Sequence, residues 1–241
     1  ATTIEECWQL VNTSERTKKH CMQLENCCYD SFEMMTLNMA RQGAFGELCH
    51  AEAAYIHELV TKNFDKKSYQ GLWRLNQNMA RNGNLYPTHG LGPVSQCMNI
   101  NRGDQYSYMT SMSSKDVNLG PAVKARLKNT PYAKSETFRG NMNTSIIKTA
   151  NGNTIMVQHD VNSTRPYSRI HLLSGSKAMC RKYPIEMVAF THRGGGKRGK
   201  ELIPLKRKYE HPLYKRMGAV AKSLGGHGGM DGIMDARLIE C

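Results

Sequence analysis

The stretch NLYPTHGLGP, residues 84–93, sets a phenol at Tyr86 and an imidazole at His89 three positions apart. Pro87 and Thr88 stand between them, and Gly90 and Gly92 follow directly behind. Pro87 suits the first position of a helix, where its missing N–H is no loss. Val94, Cys97, Met98 and Ile100 recur on roughly one helical face, so the spacing predicts a helix from about Gly92 to Asn101. Tyr86 and His89 then sit at or near its N-terminus. The positive end of the helix dipole disfavours imidazolium, so a neutral His89 is expected. A neutral imidazole beside a phenol can move protons to and from a hydroxylated substrate. A tyrosine and a histidine packed in an ordinary loop would have the same local sequence.

The remaining reactive side chains point to no second chemistry. Cysteines stand at 7, 21, 27, 28, 49, 97, 180 and 241, and no two have C-x-x-C spacing. No structural metal site is expected, and buried free thiols are the default, with a disulfide framework as the minor alternative. The net charge is +13, much of it within residues 194–218. Such clusters can neutralise nucleic-acid phosphates. Here the run is broken by Gly and Pro and carries no helix-turn-helix, zinc-finger or RNP pattern, so it reads as a solvated basic loop. No apolar run is long enough to cross a membrane.

The elements that must position Tyr86 and His89 follow from periodicity. Residues 3–19 read as an amphipathic helix with Ile4, Cys7, Trp8 and Val11 on one face, opened by a Thr–Glu capping box. Residues 21–29 read as a short buried strand, with Cys27 and Cys28 on opposite faces. A helix over 30–42 ends at Gly43, and 46–59 alternates as a long strand. Residues 72–83 read as an irregular connection. From 105 the pattern turns to β: one strand over 105–114, a hairpin turning at Asn151-Gly152-Asn153, and another at Ser174-Gly175-Ser176. Helices return at the C-terminus, where Met230, Ile233, Met234 and Leu238 share a face. GGHGGMD, 225–231, reads as tight helix–loop packing. Strands flanked by helices argue for an α+β fold with a mostly antiparallel open sheet. Both ends of the chain read as cut.

Several segments together resemble one family: LENCCYD, FGELCHAEAAYIHEL, WRLNQNMARNGNLYPTHGLGPV, INRGD, STRPYS, YEHPLYKRMG and GGHGGMD. In this order they look like the signature segments of glycoside hydrolase family 109, NAD-dependent α-N-acetylgalactosaminidases of the Gfo/Idh/MocA superfamily. The resemblance covers nearly the whole chain. It implies that residues 1–28 are the tail of a Rossmann NAD-binding domain and 29–241 a C-terminal α+β substrate domain. The glycine-rich dinucleotide loop of that family is not in this sequence.

The implied mechanism is oxidation at C3 of the sugar by NAD, elimination of the C1 substituent, addition of water and reduction. It needs proton-transfer groups rather than paired carboxylates. Carried over by position, Glu25 becomes an acid/base or orienting group, and Asn26 a contact to NAD. Tyr55 becomes a substrate contact and candidate base at C2, and Arg74 a substrate contact. Tyr86 and His89 become the sugar-binding pair, with His89 the base at the C3 hydroxyl. Tyr167 becomes a cofactor or substrate contact. Taken alone, these residues also fit a salt bridge, a turn amide, a cross-strand aromatic and a surface charge. The resemblance further implies a glycan or glycoside with terminal α-N-acetylgalactosamine as substrate, NAD as cofactor, no metal, no nucleic-acid partner, and a homo-oligomer in the complete enzyme. A periplasmic or secreted setting is compatible with it. A Gfo/Idh/MocA-type NAD(P)-dependent sugar dehydrogenase and a non-catalytic carbohydrate-binding remnant are the alternatives.

Overall fold

A computed structural model describes residues 2–190 and 195–241. The helices are α1 (Ile4–Thr17), α2 (Ser31–Arg41), α3 (Trp73–Ala80), α4 (Thr88–Cys97), α5 (Leu119–Arg126), α6 (Ile203–Lys208), α7 (Pro212–Leu224) and α8 (Met230–Ile239). The strands are β1 (Leu48–Ile56), β2 (Tyr106–Ser113), β3 (Asn143–Thr149), β4 (Thr154–Asp160), β5 (Leu172–Gly175), β6 (Met179–Arg181), β7 (Met187–Ala189) and β8 (Lys197–Arg198). The strands form one open sheet in the order β2-β3-β4-β1-β5-β6-β7-β8. Every pairing is antiparallel except β1 with β4. The fold is thus the expected α+β, with one parallel pair at its centre.

One face of this sheet is the core. Ala51, Ala53, Ile147, Ile155, Val157, Leu173, Cys180 and Val188 pack beneath Phe32, Met35 and Met39 of α2, Val94 and Cys97 of α4, and Leu205 of α6. Burying that apolar surface is the main drive for the layer to form. Strand β3 alternates cleanly: it buries Asn143, Ser145, Ile147 and Thr149 and turns the residues between them outward. The opposite face is more open, and the edge strand β2 is exposed along nearly its whole length.

Helix α4 lies directly on β1, and glycine permits it. A Cβ placed on Gly90 would lie 2.7 Å from the Ala54 carbonyl oxygen and closer still to its nitrogen. Any side chain there must push the helix off the strand. A Cβ on Gly92 would meet Glu25 Cγ at 3.0 Å and Cys28 Sγ at 3.1 Å, so this glycine gives the Glu25 segment its place against the helix.

Several elements differ from their sequence expectation, each for a local reason. Residues 21–29 are not a strand: they run extended into a 3₁₀ turn at Asn26–Tyr29. The Glu25 side chain accepts from the Cys27 N–H at 3.0 Å, and such local bonds compete with a sheet ladder. In consequence Cys27 and Cys28 are both buried. Residues 72–83 hold a regular helix, α3, which buries Leu75 and Asn78. It lacks a side-chain cap and follows Leu72 at positive φ, so no start signal marks it. Helix α4 begins and ends four residues or so earlier than the apolar spacing suggests, with Pro87 at the N-cap and Pro93 inside the helix. β1 is shorter than 46–59. The basic stretch is mostly helical, in α6 and α7, with Arg207, Lys208, Lys215 and Arg216 exposed on them; Gly194 lies outside the described residues.

The capping box at Thr3 and Glu6 forms, but the apolar side chains of α1 face solvent, none being buried. Both hairpins form; the second turns at Ser176-Lys177, slightly later than expected, because Ser174 and Gly175 stay paired in β5, the Gly175 N–H donating to the Ala178 carbonyl. All eight cysteines are free; Cys27, Cys28, Cys97 and Cys180 are buried, whereas Cys7, Cys21, Cys49 and Cys241 are exposed. Among the described residues, no helix is long and apolar enough to cross a membrane.

Gly90→Ala should cost about 1–3 kcal/mol, as overpacking does. Gly83→Ala, where a Cβ meets nothing within 4 Å, should stay within about 0.5 kcal/mol of the parent. Urea unfolding of the two variants measures the difference, and equal stabilities would show that α4 can move off β1 without penalty.

Candidate active site

The site forms where the parallel pair ends. Tyr55 stands at the C-terminal end of β1, opposite His159 of β4 in register, with ring centroids 6.0 Å apart. Alternation puts Tyr55 on the same face as Ala51 and Ala53, the helix-covered one. Helix α4 arrives over that end, held close by Gly90. Its first turn therefore sets His89 edge-on to Tyr55, with centroids 5.0 Å apart and planes at 88°. Tyr86, just before the helix, packs 5.0 Å from Tyr55 and 4.7 Å from His89. Beyond β1, the backbones of Ala54 and Ile56 donate to the carbonyls of Arg169 and Ser168 at 2.7 and 2.9 Å. That pairing delivers Tyr167, whose ring lies 6.4 Å from Tyr55.

Glu25 meets His89 from the other side. Its Oε1 lies 2.7 Å from His89 Nδ1. An ionised carboxylate only accepts, so Nδ1–H donates and Nε2 is left as the free nitrogen. Burial pushes the Glu25 pKa up, but hydrogen bonds from His89 and Thr88 outweigh it and hold the carboxyl below its ordinary value. Glu25 is thus a carboxylate at neutral pH, and the His89 ring is fixed in one tautomer.

Arg74 reaches the same cluster from α3. Its guanidinium lies 4.8 Å from the Tyr69 ring centre, 5.0 Å from Trp73 and 5.9 Å from Tyr86. Glu25, Tyr55, Tyr86, His89 and Tyr167 are therefore brought together, with Arg74 joined through Tyr86. Asn26 is drawn elsewhere: its Nδ2 donates to Asp231 Oδ1 at 2.7 Å, which pins the GGHGGMD segment to the 3₁₀ turn.

The ligand atoms of Glu25, Cys27 and His89 lie within 4.8 Å of one another. Burial raises the Cys27 thiol to about 12. A thiol held protonated is a poor metal ligand, and the Glu25–His89 hydrogen bond already accounts for the other two groups.

Sequence reasoning missed three contributors. His57 follows Tyr55 by two, so strand alternation alone would have put it on the same face; its Nδ1 lies 3.3 Å from the Tyr55 hydroxyl. His159 is buried beside Tyr55 and, through desolvation and the nearby Arg139, has its pKa driven down to about 2, so it is neutral. Against Tyr183, which packs 6.0 Å from Tyr167, lies a largely buried ion cluster: Arg169 pairs with Asp30 at 2.9 Å and Glu33 at 2.8 Å, and Lys182 with the same two at 2.6 and 2.8 Å. Nothing local in the sequence joins positions so far apart.

The family profile described as glycosyl hydrolase 109, C-terminal domain, matches residues 29–241. The chain belongs to glycosyl hydrolase family 109. A family 109 protein of Solibacter usitatus is 48% identical over the whole chain, which covers 55% of that relative. One from Shewanella putrefaciens is 50% identical, and the chain covers 53% of it. The chain thus spans about half the length of the curated relatives it matches. Two solved structures that share the fold are oxidoreductases. An NAD binding oxidoreductase from Klebsiella pneumoniae aligns over 97% of the chain and 59% of its own length, with TM-score 0.62 and 12% identity. An aldose-aldose oxidoreductase from Caulobacter crescentus, complexed with glycerol, aligns over 100% of the chain and 65% of its own length, with TM-score 0.56 and 15% identity. This family 109 chain thus shares its fold with part of each of these two oxidoreductases.

Because the Glu25 carboxyl is held below its ordinary value of 4.5, its bond to His89 adds stability that is fully present above pH 4.5 and lost as pH falls through the folded value. Glu25→Gln should remove about 1.5 kcal/mol near neutral pH and flatten the part of the stability–pH curve below 4.5. Urea titrations at several pH values read this. An unchanged slope in the variant would mean that Glu25 gains nothing from its partners.

Proposed function

We propose that this chain is the sugar-facing wall of an enzyme that releases terminal α-linked N-acetylgalactosamine by oxidation, elimination, addition of water and reduction. The observation that carries the reading is the Glu25–His89 hydrogen bond at 2.7 Å among three tyrosines. A base held by an orienting carboxylate is the arrangement that proton abstraction needs. Family 109 membership and the oxidoreductase fold support the same class of chemistry. A glycosidase of the two-carboxylate kind needs a second free acid. The nearest acids on the 25–33 segment, Asp30 and Glu33, are instead held by Arg169 and Lys182.

In this reading residues 1–28 close a nucleotide-binding domain and 29–241 form the substrate domain. A nicotinamide bound against this wall, with Tyr167 as its contact from this chain, would supply the hydride acceptor and donor for C3 of the sugar, and a ketone at C3 would make the hydrogen on C2 acidic. The residues of this chain fit one wall of such a site and not the whole of it. Tyr167 lies in the cluster, Asn26 is bonded to Asp231, and the sequence holds no glycine-rich dinucleotide turn.

The chain's own part is proton work and orientation. Nε2 of His89 accepts the C3 hydroxyl proton as the carbinol is oxidised, and Glu25 stabilises the resulting imidazolium through Nδ1–H. Tyr86 and Arg74 hold the ring hydroxyls. Tyr55, deeper at the strand end, stands to take the C2 proton. Burial holds its own pKa at about 12, so it rests as the phenol.

The full-length gene product, supplied with NAD⁺ and a chromogenic α-N-acetylgalactosaminide, should release the chromophore without net NADH. Steady NADH accumulation without release would instead identify a sugar dehydrogenase using the same wall. His89→Ala should lower turnover about 10²-fold or more, and wild-type turnover in that variant removes His89 from the mechanism. The 241-residue chain alone should show neither micromolar NAD⁺ binding by calorimetry nor turnover, because the anion site of a dinucleotide fold is not in it.

A further inference from the structure

Tyr55 needs a partner if it is to act as a base. A phenol at rest can take the C2 proton only as it gives up its own, and His57 is placed to receive it. We propose that His57 is the positioning and proton-relay partner of Tyr55, connecting the buried phenol to the mouth of the site. This rests on the reading of Tyr55 given above.

The geometry is specific. Tyr55 and His57 are two residues apart at the end of an extended strand and so share a face. The Tyr55 hydroxyl and His57 Nδ1 lie 3.3 Å apart, a long hydrogen bond of the kind that tightens in a reacting complex. The His57 backbone is fixed by donation from its N–H to the Asp160 carbonyl at 2.9 Å. Its ring is wedged edge-on between Tyr55 at 5.9 Å and Tyr167 at 5.1 Å, with interplanar angles of 82° and 89°. The Tyr55 ring is buried, whereas His57 is only part-buried.

The groups facing the imidazole are the phenols Tyr55 and Tyr167, with the charges of Glu58 and Arg74 acting at longer range, joined by that of His89 when it carries a proton. Desolvation, with Arg74 adding to it against Glu58 and protonated His89 adding further, lowers the His57 pKa below 6.5. The ring is therefore neutral at pH 7 and able to accept.

The step balances. The C2–H bond breaks and its proton bonds to the Tyr55 oxygen as the Tyr55 O–H proton passes to His57 Nδ1. The electron pair from C2–H forms the C1–C2 double bond, and the C1 substituent leaves with its bonding pair. His57, now imidazolium, releases a proton from Nε2 to solvent, and Tyr55 is again a phenol. Reversal of the same transfers reprotonates C2 after water adds at C1.

The full-length gene product tests this in deuterium oxide, with NAD⁺ present and α-N-acetylgalactosaminide as substrate. Deuterium incorporation at C2 of the released sugar, followed by mass spectrometry, reports the relay. Single-turnover absorbance of NADH reports oxidation at C3 separately. His57→Phe should slow C2 exchange and kcat by about 10²-fold while single-turnover NADH formation and KM stay within about threefold. His57→Gln, which keeps a hydrogen-bonding partner for Tyr55 but cannot carry a proton, should be slowed like Phe. His57→Ala should be rescued by added imidazole, more strongly as pH rises through the imidazole pKa. Wild-type exchange in Phe, or full activity in Gln, overturns the relay. Tyr55→Phe is the control on the underlying reading: if it exchanges C2 normally, the assignment of Tyr55 is wrong and the relay falls with it. If Tyr55→Phe is slow and His57→Phe is not, only the relay fails.

Discussion

The molecule depends on one close approach, that of Gly90 to the backbone of β1 at Ala54. A helix normally keeps a side chain's thickness from the strand it covers. Here it does not, and the difference of a few ångströms decides what the first turn of α4 can touch. His89 and Tyr86 reach Tyr55 because the neighbouring position on their helix has no side chain. Gly92, two residues on and so on nearly the opposite side of the helix, repeats the device and admits Glu25. The two glycines of HGLGP thus do the same thing to two different partners. They bring a strand-end phenol and a carboxylate from a remote turn onto a single imidazole.

Around that contact the electrostatics separate into two layers. At the surface of the site a carboxylate and an imidazole share one proton-bearing bond, with the phenols of Tyr55 and Tyr86 packed against the imidazole and Tyr167 beyond Tyr55. Below, four charges of the Arg169, Lys182, Asp30 and Glu33 cluster neutralise one another. Burial alone would push the Asp30 carboxyl up, but its two basic partners draw it well below its ordinary range. Breaking any one partner would leave a buried charge uncompensated, which is far more costly than the pair is stabilising. The lower layer is therefore a rigid floor for the segment that carries Tyr167 and the turn that carries Glu25.

Periodicity and turn chemistry revealed the hairpins, α2, β2 and the C-terminal helix, because these are set by local alternation and by Asn-Gly or Gly signals. They missed α3, which has no cap residue, and misread 21–29, where a glutamate side chain takes the N–H that a strand would use. They placed α4 late, since its apolar residues cluster toward its C-terminal half while its functional residues fill the first turn. Resemblance to a family supplied the candidate residues, and geometry then joined five of them directly. Asn26 went to Asp231 instead, through a contact 205 positions long that no pattern encodes. His57 was legible from alternation once Tyr55 was fixed, and His159 only through the β1–β4 register.

That register also bears on how the chain reaches its folded state. β1 pairs in parallel with β4 at separations near 104 residues, as in the His50–Thr154 bond. Parallel partners cannot be joined by a hairpin, so the connection must be closed at an entropic cost before the pairing returns any stability. Contacts of such long range make folding slow. On the ribosome, β1 emerges well before β4 and waits with its central edge unpaired. Until β4 follows, the strand that carries Tyr55 is an open template for other chains. The centre of the sheet, which seats the Tyr55 cluster, is thus also a segment that waits for both of its partners from the second half of the chain.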